Sequence, residues 1–239
     1  GSHNHTGSAG SPAGGYNRVV SLRRVLSSSV GTKLLIGVTG LLLFAYLILH
    51  LAGNLIVFAG QDTFNHYAHT LISNPLVIPA EIALLVVFAL HIYKTVVMWI
   101  GNRRARPAAY EKKVWAGHTS RKSVSSTTMI WTGLVTLVFV VVHLVQMKFG
   151  AWYQIGDPPV RDLYRTEVEV FSSPFWVVAY VCCMILIGFH LRHGISSAFQ
   201  SAGADHPIYT KRLTLLGTVL AILIGGGFAV IPIWVYLTR

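Results

Sequence analysis

The sequence LLIGVTGLLLFAYLILHLAGNLIVFAG, residues 34–60, decides the fold. It contains no Asp, Glu, Lys or Arg, and it is longer than the about 20 apolar residues that a helix needs to cross a bilayer. His50 lies well inside this run and is followed by Gly53 and Asn54. An ionisable side chain at such a depth is costly unless it has a partner. His50 therefore requires a partner elsewhere in the chain.

The composition is that of an integral membrane protein. Of the 239 residues, 53% are hydrophobic and only 11% are charged, about half the charged fraction of a soluble domain. The net charge is +11, but Lys and Arg fall between apolar runs, so they indicate membrane topology and no nucleic-acid partner. The two cysteines, Cys182 and Cys183, are adjacent within an apolar run. They lack the spacing of an iron–sulfur or zinc site and are interpreted as packing residues.

Five apolar runs predict five transmembrane helices, at about 31–59, 76–100, 124–148, 174–200 and 210–237. A bilayer admits only helices and closed barrels, and these runs are too long and continuous for barrel strands. We therefore expect an all-α integral membrane protein. Residues 18–239 are predicted to form one five-helix bundle, after a disordered tail at residues 1–17.

The basic residues predict the orientation of the bundle. The N-terminal segment and the loops 101–123 and 201–212 carry most of the Lys and Arg residues. The loop 60–75 carries none, and the loop 149–173 balances its basic residues with acidic ones. The positive-inside rule then places the N-terminus in the cytoplasm and the C-terminus outside. No large soluble segment is present, so the chemistry is expected within the membrane or in partner subunits docked on it.

Four of the five predicted spans carry a histidine at depth: His50, His91, His143 and His190. His50 follows Lys33 by 17 residues, and His143 follows Lys122 by 21 residues. At a rise of about 1.5 Å per residue both lie toward the outer side. We call His50 and His143 the outer pair.

The other two histidines lie toward the inner side. His91 precedes Arg103 by 12 residues, and His190 comes late in an inward-running span. We call His91 and His190 the inner pair. Two pairs at two depths suit two bis-histidine b-type haems, since neutral imidazoles on opposing helices are axial ligands of haem iron. A lone intramembrane histidine is more often a packing residue or part of a proton path, but four histidines paired in depth are hard to obtain by chance.

Glycines and a fifth histidine lie near these four residues in the sequence. Gly53 and Gly194 would let a flat macrocycle approach the helix backbone. His193 lies three residues after His190 on nearly the same helix face and is its rival as a ligand. The remaining histidines fall in predicted loops or in the tail and are assigned to no metal: His3, His5, His66, His69, His118 and His206.

From about Ser27 to its end, the chain resembles the cytochrome b membrane-anchor subunit of succinate dehydrogenase and fumarate reductase, in its single-chain form with five helices and two haems. The resemblance depends on six pieces of sequence: Gly37-x-Thr39-Gly40, His50-Leu51-x-Gly53-Asn54, Phe64-Asn65-x-Tyr67, His91, His190-x-x-x-Gly194 and Ser197-Ala198-Phe199-Gln200. In this family a glycine follows the fourth-span ligand by four residues, which selects His190 over His193.

The resemblance implies an anchor that holds a flavoprotein and an iron–sulfur protein against the inner face of the bacterial cytoplasmic membrane. Electrons from succinate oxidation in those partners would reach a membrane quinone, often menaquinone, with two haem b groups in the anchor. Ser29 and Lys33 match the spacing of a Ser and an Arg that line the quinone site of related anchors. Lys replaces Arg here, and the alternative is a helix start with a snorkelling lysine.

Four more polar residues have candidate roles. Lys94, Arg192 and His193 lie at the depth of the inner rim and could pair with haem propionates. Glu81 lies near the outer end of the second span, where it could serve a proton path or an outer quinone site. It is interpreted instead as an acid in the first turn of a helix, which the helix dipole favours.

Two alternative functions remain open from the sequence. The first is the dihaem b anchor of another respiratory dehydrogenase or a hydrogenase, although those anchors distribute their histidines differently among the helices. The second is a transporter with histidine proton relays, which predicts inverted repeats and acidic residues at the midplane. Glu81 is the only acidic residue within a predicted span, and no inverted repeat is evident.

Overall fold

The computed structural model describes residues 28–105, 128–203 and 207–239. The bundle helices are α1 (Ser29–Asn54, continued by a 3-10 turn at Leu55–Ala59), α3 (Val77–Arg104), α4 (Met129–His143, continued by a π-helical turn at Leu144–Lys148), α6 (Pro174–Ser201) and α7 (Pro207–Thr238). Between them lie the helices α2 (Gln61–Ile72) and α5 (Leu163–Phe171), and the two-residue strands β1 (Gln154–Ile155) and β2 (Val160–Arg161).

The five predicted spans correspond to five helices that are long and apolar enough to cross a membrane: Ser29–Ala59, Val77–Arg104, Met129–Lys148, Pro174–Ser201 and Tyr209–Thr238. The prediction of an all-α membrane bundle is thereby confirmed. The predicted tail at 1–17, most of the basic loop, the start of the third span at 124, His118 and His206 lie outside the described residues.

Helix α6 is the centre of the bundle, since it packs against α1, α4 and α7. Its buried residues recur at helical spacing and include Met184, Ile187, Leu191 and Ile195. The contact with α7 is close because glycines lie between the helices. A side chain at Gly225 would place its Cβ 3.0 Å from the carbonyl oxygen of Met184.

The opposite side of the bundle is more open. Helix α3 packs against α1 and has no fully buried residue. Among the described residues no extensive contact joins α3 to α4, which packs against α6 instead. The interior between these helices is therefore not closed by direct helix packing, and the four deep histidines come from the helices around it.

The two connections at the His50 end of the bundle are more ordered than the sequence predicted. Both were predicted as loops, but they contain α2, the antiparallel β1–β2 hairpin and α5. We call residues 60–74 and 150–172 the outer cap, after the predicted topology. Polar composition concealed α2, which buries only one narrow face, with Phe64 and Ala68 four residues apart.

A buried carboxylate fastens the outer cap. Asp162, 4% exposed, accepts hydrogen bonds from Gln61 Nε2 and Asn65 Nδ2, both at 2.7 Å. It is also the N-cap of α5, accepting from the backbone N–H of Arg165 at 3.0 Å. Asn65 Oδ1 in turn accepts from the backbone N–H of Tyr164. These bonds join α2 to α5 and fix the cap over the outer pair's end of the bundle.

Candidate functional site

The structure brings the two histidines of the outer pair together. His50 on α1 and His143 at the end of α4 have ring centroids 5.8 Å apart and planes at 84°. Tyr46 stacks on His50 at 5.3 Å, and Phe139 stacks on His143 at 5.7 Å. Imidazole nitrogen binds a transition metal at about 2.0–2.1 Å, so two rings on opposite sides of one ion have centres roughly 6 Å apart. The observed separation fits a bis-histidine site, and it equally suits an edge-to-face contact of neutral rings.

The Nδ1 atoms of the outer pair have at most a weak hydrogen bond. Asn54 Nδ2 donates to the carbonyl oxygen of His50 at 2.7 Å and lies 3.4 Å from His50 Nδ1, at the limit of a hydrogen bond. His143 Nδ1 is buried and has no hydrogen-bond partner among the described residues. A buried polar atom without a partner costs about 1–3 kcal/mol. Within the described part of the chain, the polarity of His143 Nδ1 is therefore uncompensated.

The inner pair has a different environment, because each ring contacts a threonine on a neighbouring helix. His91 on α3 has its Nδ1 3.1 Å from Thr39 Oγ1 on α1. His190 on α6 has its Nδ1 3.2 Å from Thr132 Oγ1 on α4. The two histidines are close enough to interact electrostatically. Each inner histidine is thus held against one of the helices that carry the outer pair.

The hydrogen bonds of Thr39 and Thr132 favour one tautomer of each inner imidazole. A hydroxyl has one hydrogen to donate. Thr39 Oγ1 donates to the Leu35 carbonyl at 2.7 Å, and Thr132 Oγ1 lies 3.1 Å from the Met129 carbonyl. A hydroxyl that donates to its own helix accepts from Nδ1–H, which leaves the Nε2 lone pair of a neutral imidazole available. This is the tautomer that an Nε2 metal ligand requires.

A glycine follows each of these threonines and gives the imidazole room. A Cβ on Gly40 would lie 3.2 Å from His91 Cε1, and a Cβ on Gly133 would lie 3.3 Å from His190 Cε1. Both distances are tighter than ordinary van der Waals contact. The inner imidazoles therefore lie directly against the backbone of α1 and α4.

The same pattern, Thr-Gly-x9-His, occurs in both helices. It runs from Thr39 to His50 in α1 and from Thr132 to His143 in α4, 11 residues in each case. Eleven residues are close to three helical turns, or about 16 Å, so each threonine and histidine share a face at two depths. We did not predict the second copy from the sequence, although a search for internal repeats would have found it.

No compact metal cluster accompanies these pairs. Among the residues that the structure describes, no three His, Cys, Asp or Glu side chains converge on one point. A chelated ion of the zinc type needs such a cluster, whereas a haem iron needs only two axial ligands from the protein. The outer pair and the inner pair each offer two imidazoles.

The glycine after His50 has another role than the one expected. A Cβ on Gly53 would lie 3.0 Å from Tyr67 Cε1, so this glycine makes room for the phenol ring of α2. Gly194, the glycine after His190, has ordinary space, with Met129 Cε 3.7 Å away. The structure gives neither glycine the tight approach to a histidine that Gly40 and Gly133 have.

The predicted quinone and propionate residues lie around the inner end of the bundle. Ser29 and Lys33 are both exposed at the start of α1, and the side chain of Ser28 caps this helix by accepting from Gly31 N–H at 3.0 Å. Lys94, Arg192 and His193 are half-buried. Arg192 Nε donates to Thr218 Oγ1 at 3.1 Å, so this guanidinium group is directed at least partly to α7.

Glu81 does not lie in the first helical turn, because α3 begins at Val77. Its carboxylate forms an ion pair with Lys148, at the end of the π-helical turn, and both side chains are largely exposed. The pair links the outer ends of α3 and α4, which otherwise have little contact. This lysine partner was not anticipated from the sequence.

A buried acid in the outer cap was also missed. Glu167 on α5 is only 5% exposed, and burial raises its pKa to about 8. It lies near Tyr180 of α6, whose hydroxyl donates to Gln146 Oε1 at 2.8 Å and whose ring is in edge contact with His143. The sequence predicts a loop here, and nothing in it indicates that one of the carboxylates is buried.

Comparison of the chain with protein-family models, with curated proteins and with solved structures gave no match. The candidate site is therefore interpreted from its own residues and geometry.

Proposed function

We propose that this chain is the dihaem cytochrome b membrane anchor of a succinate:quinone oxidoreductase, respiratory complex II. The observation that carries the proposal is the arrangement of four histidines from four helices in two layers, with the outer rings 5.8 Å apart and both inner rings held by threonine hydroxyls. In a transporter the same histidines would be proton relays. The intramembrane acids expected of a relay are absent from the described spans apart from Glu81, which is ion-paired.

In this proposal His50 and His143 hold the outer haem, and His91 and His190 hold the inner one. Bound haem would supply one-electron centres at the two depths. Thr39 and Thr132 keep Nε2 of the inner ligands unprotonated. Tyr46, Phe139 and Phe228 surround the outer rings, and an apolar cavity of about 330 Å³ lies beside Phe139 and Tyr180.

The partners and the orientation follow from the same proposal. The N-terminus faces the cytoplasm of a bacterial cell, where a flavoprotein and an iron–sulfur subunit dock on the basic end of the bundle. Dicarboxylate chemistry takes place in those partners. A membrane quinone, menaquinone by resemblance, binds near the inner end of α1, where Ser29 and Lys33 are accessible. Lys94, Arg192 and His193 are at hand for the propionates of the inner haem.

The direct test is a visible spectrum of the purified chain, expressed with haem synthesis intact. A reduced-minus-oxidised difference should show b-type bands and two haems per chain. His50→Ala should remove the outer haem and His91→Ala the inner one, each leaving one haem. The matched control is His69→Ala, an exposed histidine of α2 with no proposed role at the haems, which should keep both. Absence of b-type bands from the assembled protein, or two haems retained in both ligand variants, would refute the haem assignment.

Co-purification tests which oxidoreductase the anchor serves. Affinity purification from its native membrane should recover a flavoprotein and an iron–sulfur protein with succinate:quinone activity. Recovery of a different dehydrogenase with a two-haem spectrum would support the other dihaem anchors. A haem-free chain that carries protons or solutes in liposomes would support the transporter.

A further inference from the structure

We infer that Thr39 and Thr132 are positioning residues for the two ligands of the inner haem, and that they make the two haem sites chemically unequal. The inference rests on the proposed function, since it concerns how the chain presents its histidines to haem. It goes beyond that function by assigning a role to two side chains that would not touch the iron.

The geometry of the two threonines suits this role. Thr39 is 7% exposed and Thr132 is 5% exposed, so water does not compete for their hydroxyls. Each hydroxyl is oriented by a carbonyl of its own helix, three or four residues earlier, and its remaining lone pair faces a histidine 52 or 58 residues away in sequence. A neutral acceptor at Nδ1–H makes the opposite nitrogen more basic and fixes the plane of the ring.

The adjacent glycines restrict the alternatives. A Cβ on Gly40 or Gly133 would lie 3.2 or 3.3 Å from a ring carbon, so each imidazole lies close to the backbone of the helix that carries its threonine. One Thr-Gly pair therefore supplies both a hydrogen-bond partner for Nδ1 and room for the ring.

The outer pair lacks this device. His50 Nδ1 has only the 3.4 Å contact with Asn54, and His143 Nδ1 has no partner among the described residues. In each Thr-Gly-x9-His segment the histidine belongs to the outer pair and is held by aromatic stacking. The threonine of the same segment lies against a histidine of the inner pair. Removing a threonine hydroxyl should consequently affect the inner haem alone.

The experiment compares Thr39→Val and Thr132→Val, which remove the hydroxyl at similar size, with Thr39→Ser and Thr132→Ser, which keep it. The matched control is Thr136→Val, because Thr136 lies one turn further along α4 and its hydroxyl bonds only the Thr132 carbonyl. Redox titration of both haems in the full chain is the readout. A weaker ligand stabilises ferric iron less, so each Val variant should raise the potential of the inner haem. The expected change is roughly tenfold in its reduced-to-oxidised ratio at fixed potential, about 59 mV for one electron.

The serine variants should restore the native potential, and the control should match the native protein. Unchanged potentials in both Val variants, a shift of the outer haem instead, or a failure of serine to rescue would each overturn the inference. Such results, obtained with two haems bound, leave the proposed function intact. If the proposed function were wrong, the unsubstituted chain would lack haem, so the two failures can be told apart.

A second measurement covers the case in which the Val variants do not assemble. The chain is labelled with ¹⁵N-histidine and reduced, so that the low-spin haems are diamagnetic, and the ligand Nδ1 resonances are recorded by solid-state NMR. Two of the four ligand Nδ1–H groups should show strong hydrogen bonding and two should not. Four equivalent Nδ1 environments would overturn the inference without any substitution.

Discussion

Glu167 is the residue whose protonation should control the stability of the outer cap. It lies on α5, nine-tenths or more buried, with burial as the cause of its raised pKa of about 8. Helix α5 packs against α2, α6, α7 and the π-helical turn. Tyr180 of α6 is the titratable group that interacts with it electrostatically, and no cation from the other elements offsets the burial. The carboxyl group is therefore protonated in the folded protein at neutral pH.

The free energy of unfolding changes with pH because the folded and unfolded states bind protons differently at Glu167. The ordinary pKa of a glutamate is near 4.5, so between about pH 4.5 and 8 the folded state holds a proton that the unfolded state releases. The free energy of unfolding must fall as the pH rises through this window and level off above pH 8. At about 1.4 kcal/mol per pH unit the total is roughly 5 kcal/mol. This value is an upper bound, because local lifting of α5 already exposes the carboxylate to water.

The assay is thermal unfolding of the purified protein in detergent between pH 5 and 8.5, for the native chain and for Glu167→Gln. The native midpoint should decrease across the window, and the Gln variant should lack this component and be the more stable protein at pH 8. Glu169→Gln is the matched control, since Glu169 is on the same helix but exposed, with its pKa lowered by bonds to Tyr153 and Arg165. It should retain the native slope. Equal slopes for the native chain and the Glu167 variant would refute the reasoning.

Three other predictions concern single contacts. Gly40→Ala places a Cβ 3.2 Å from the His91 ring and should reduce the absorbance of one haem. The control Gly226→Ala has open space around it and should not. Equal spectra of the two variants would contradict the steric argument. Asp162→Ala leaves two side-chain amides and the first turn of α5 without an acceptor. It should lower the free energy of unfolding by about 2–4 kcal/mol, measured as a lower thermal midpoint. An unchanged midpoint would argue against a role of Asp162 in holding the outer cap. The exposed pair of Glu81 and Lys148 should show a coupling energy below about 1 kcal/mol in a double-mutant cycle, decreasing with salt; a larger, salt-insensitive coupling would disprove its assignment as a surface pair.

The sequence by itself determined the membrane-spanning helices and predicted the depths of the four histidines. Both are local properties. A run of apolar residues long enough to cross a bilayer must form a helix there, because lipid offers no partner to an unpaired backbone group. The fixed rise of that helix converts residue spacing from a basic flank into depth. This is why the helix bounds agree with the predicted spans to within a few residues over the described chain, and why residue spacing alone pairs His50 with His143.

Only the tertiary structure decided which side chains meet. Nothing in the sequence marks Thr132, whose hydroxyl lies against His190. The sequence predicts that Gly53 makes room for a cofactor, whereas the structure places the Tyr67 ring against it. The sequence places Glu167 in a predicted loop, whereas in the structure α5 packs on the bundle and buries its side chain. These properties depend on the rotation of each helix about its axis and on how the connections fold. Hydropathy leaves both open, because lipid-facing and interior-facing residues of a membrane helix are equally apolar.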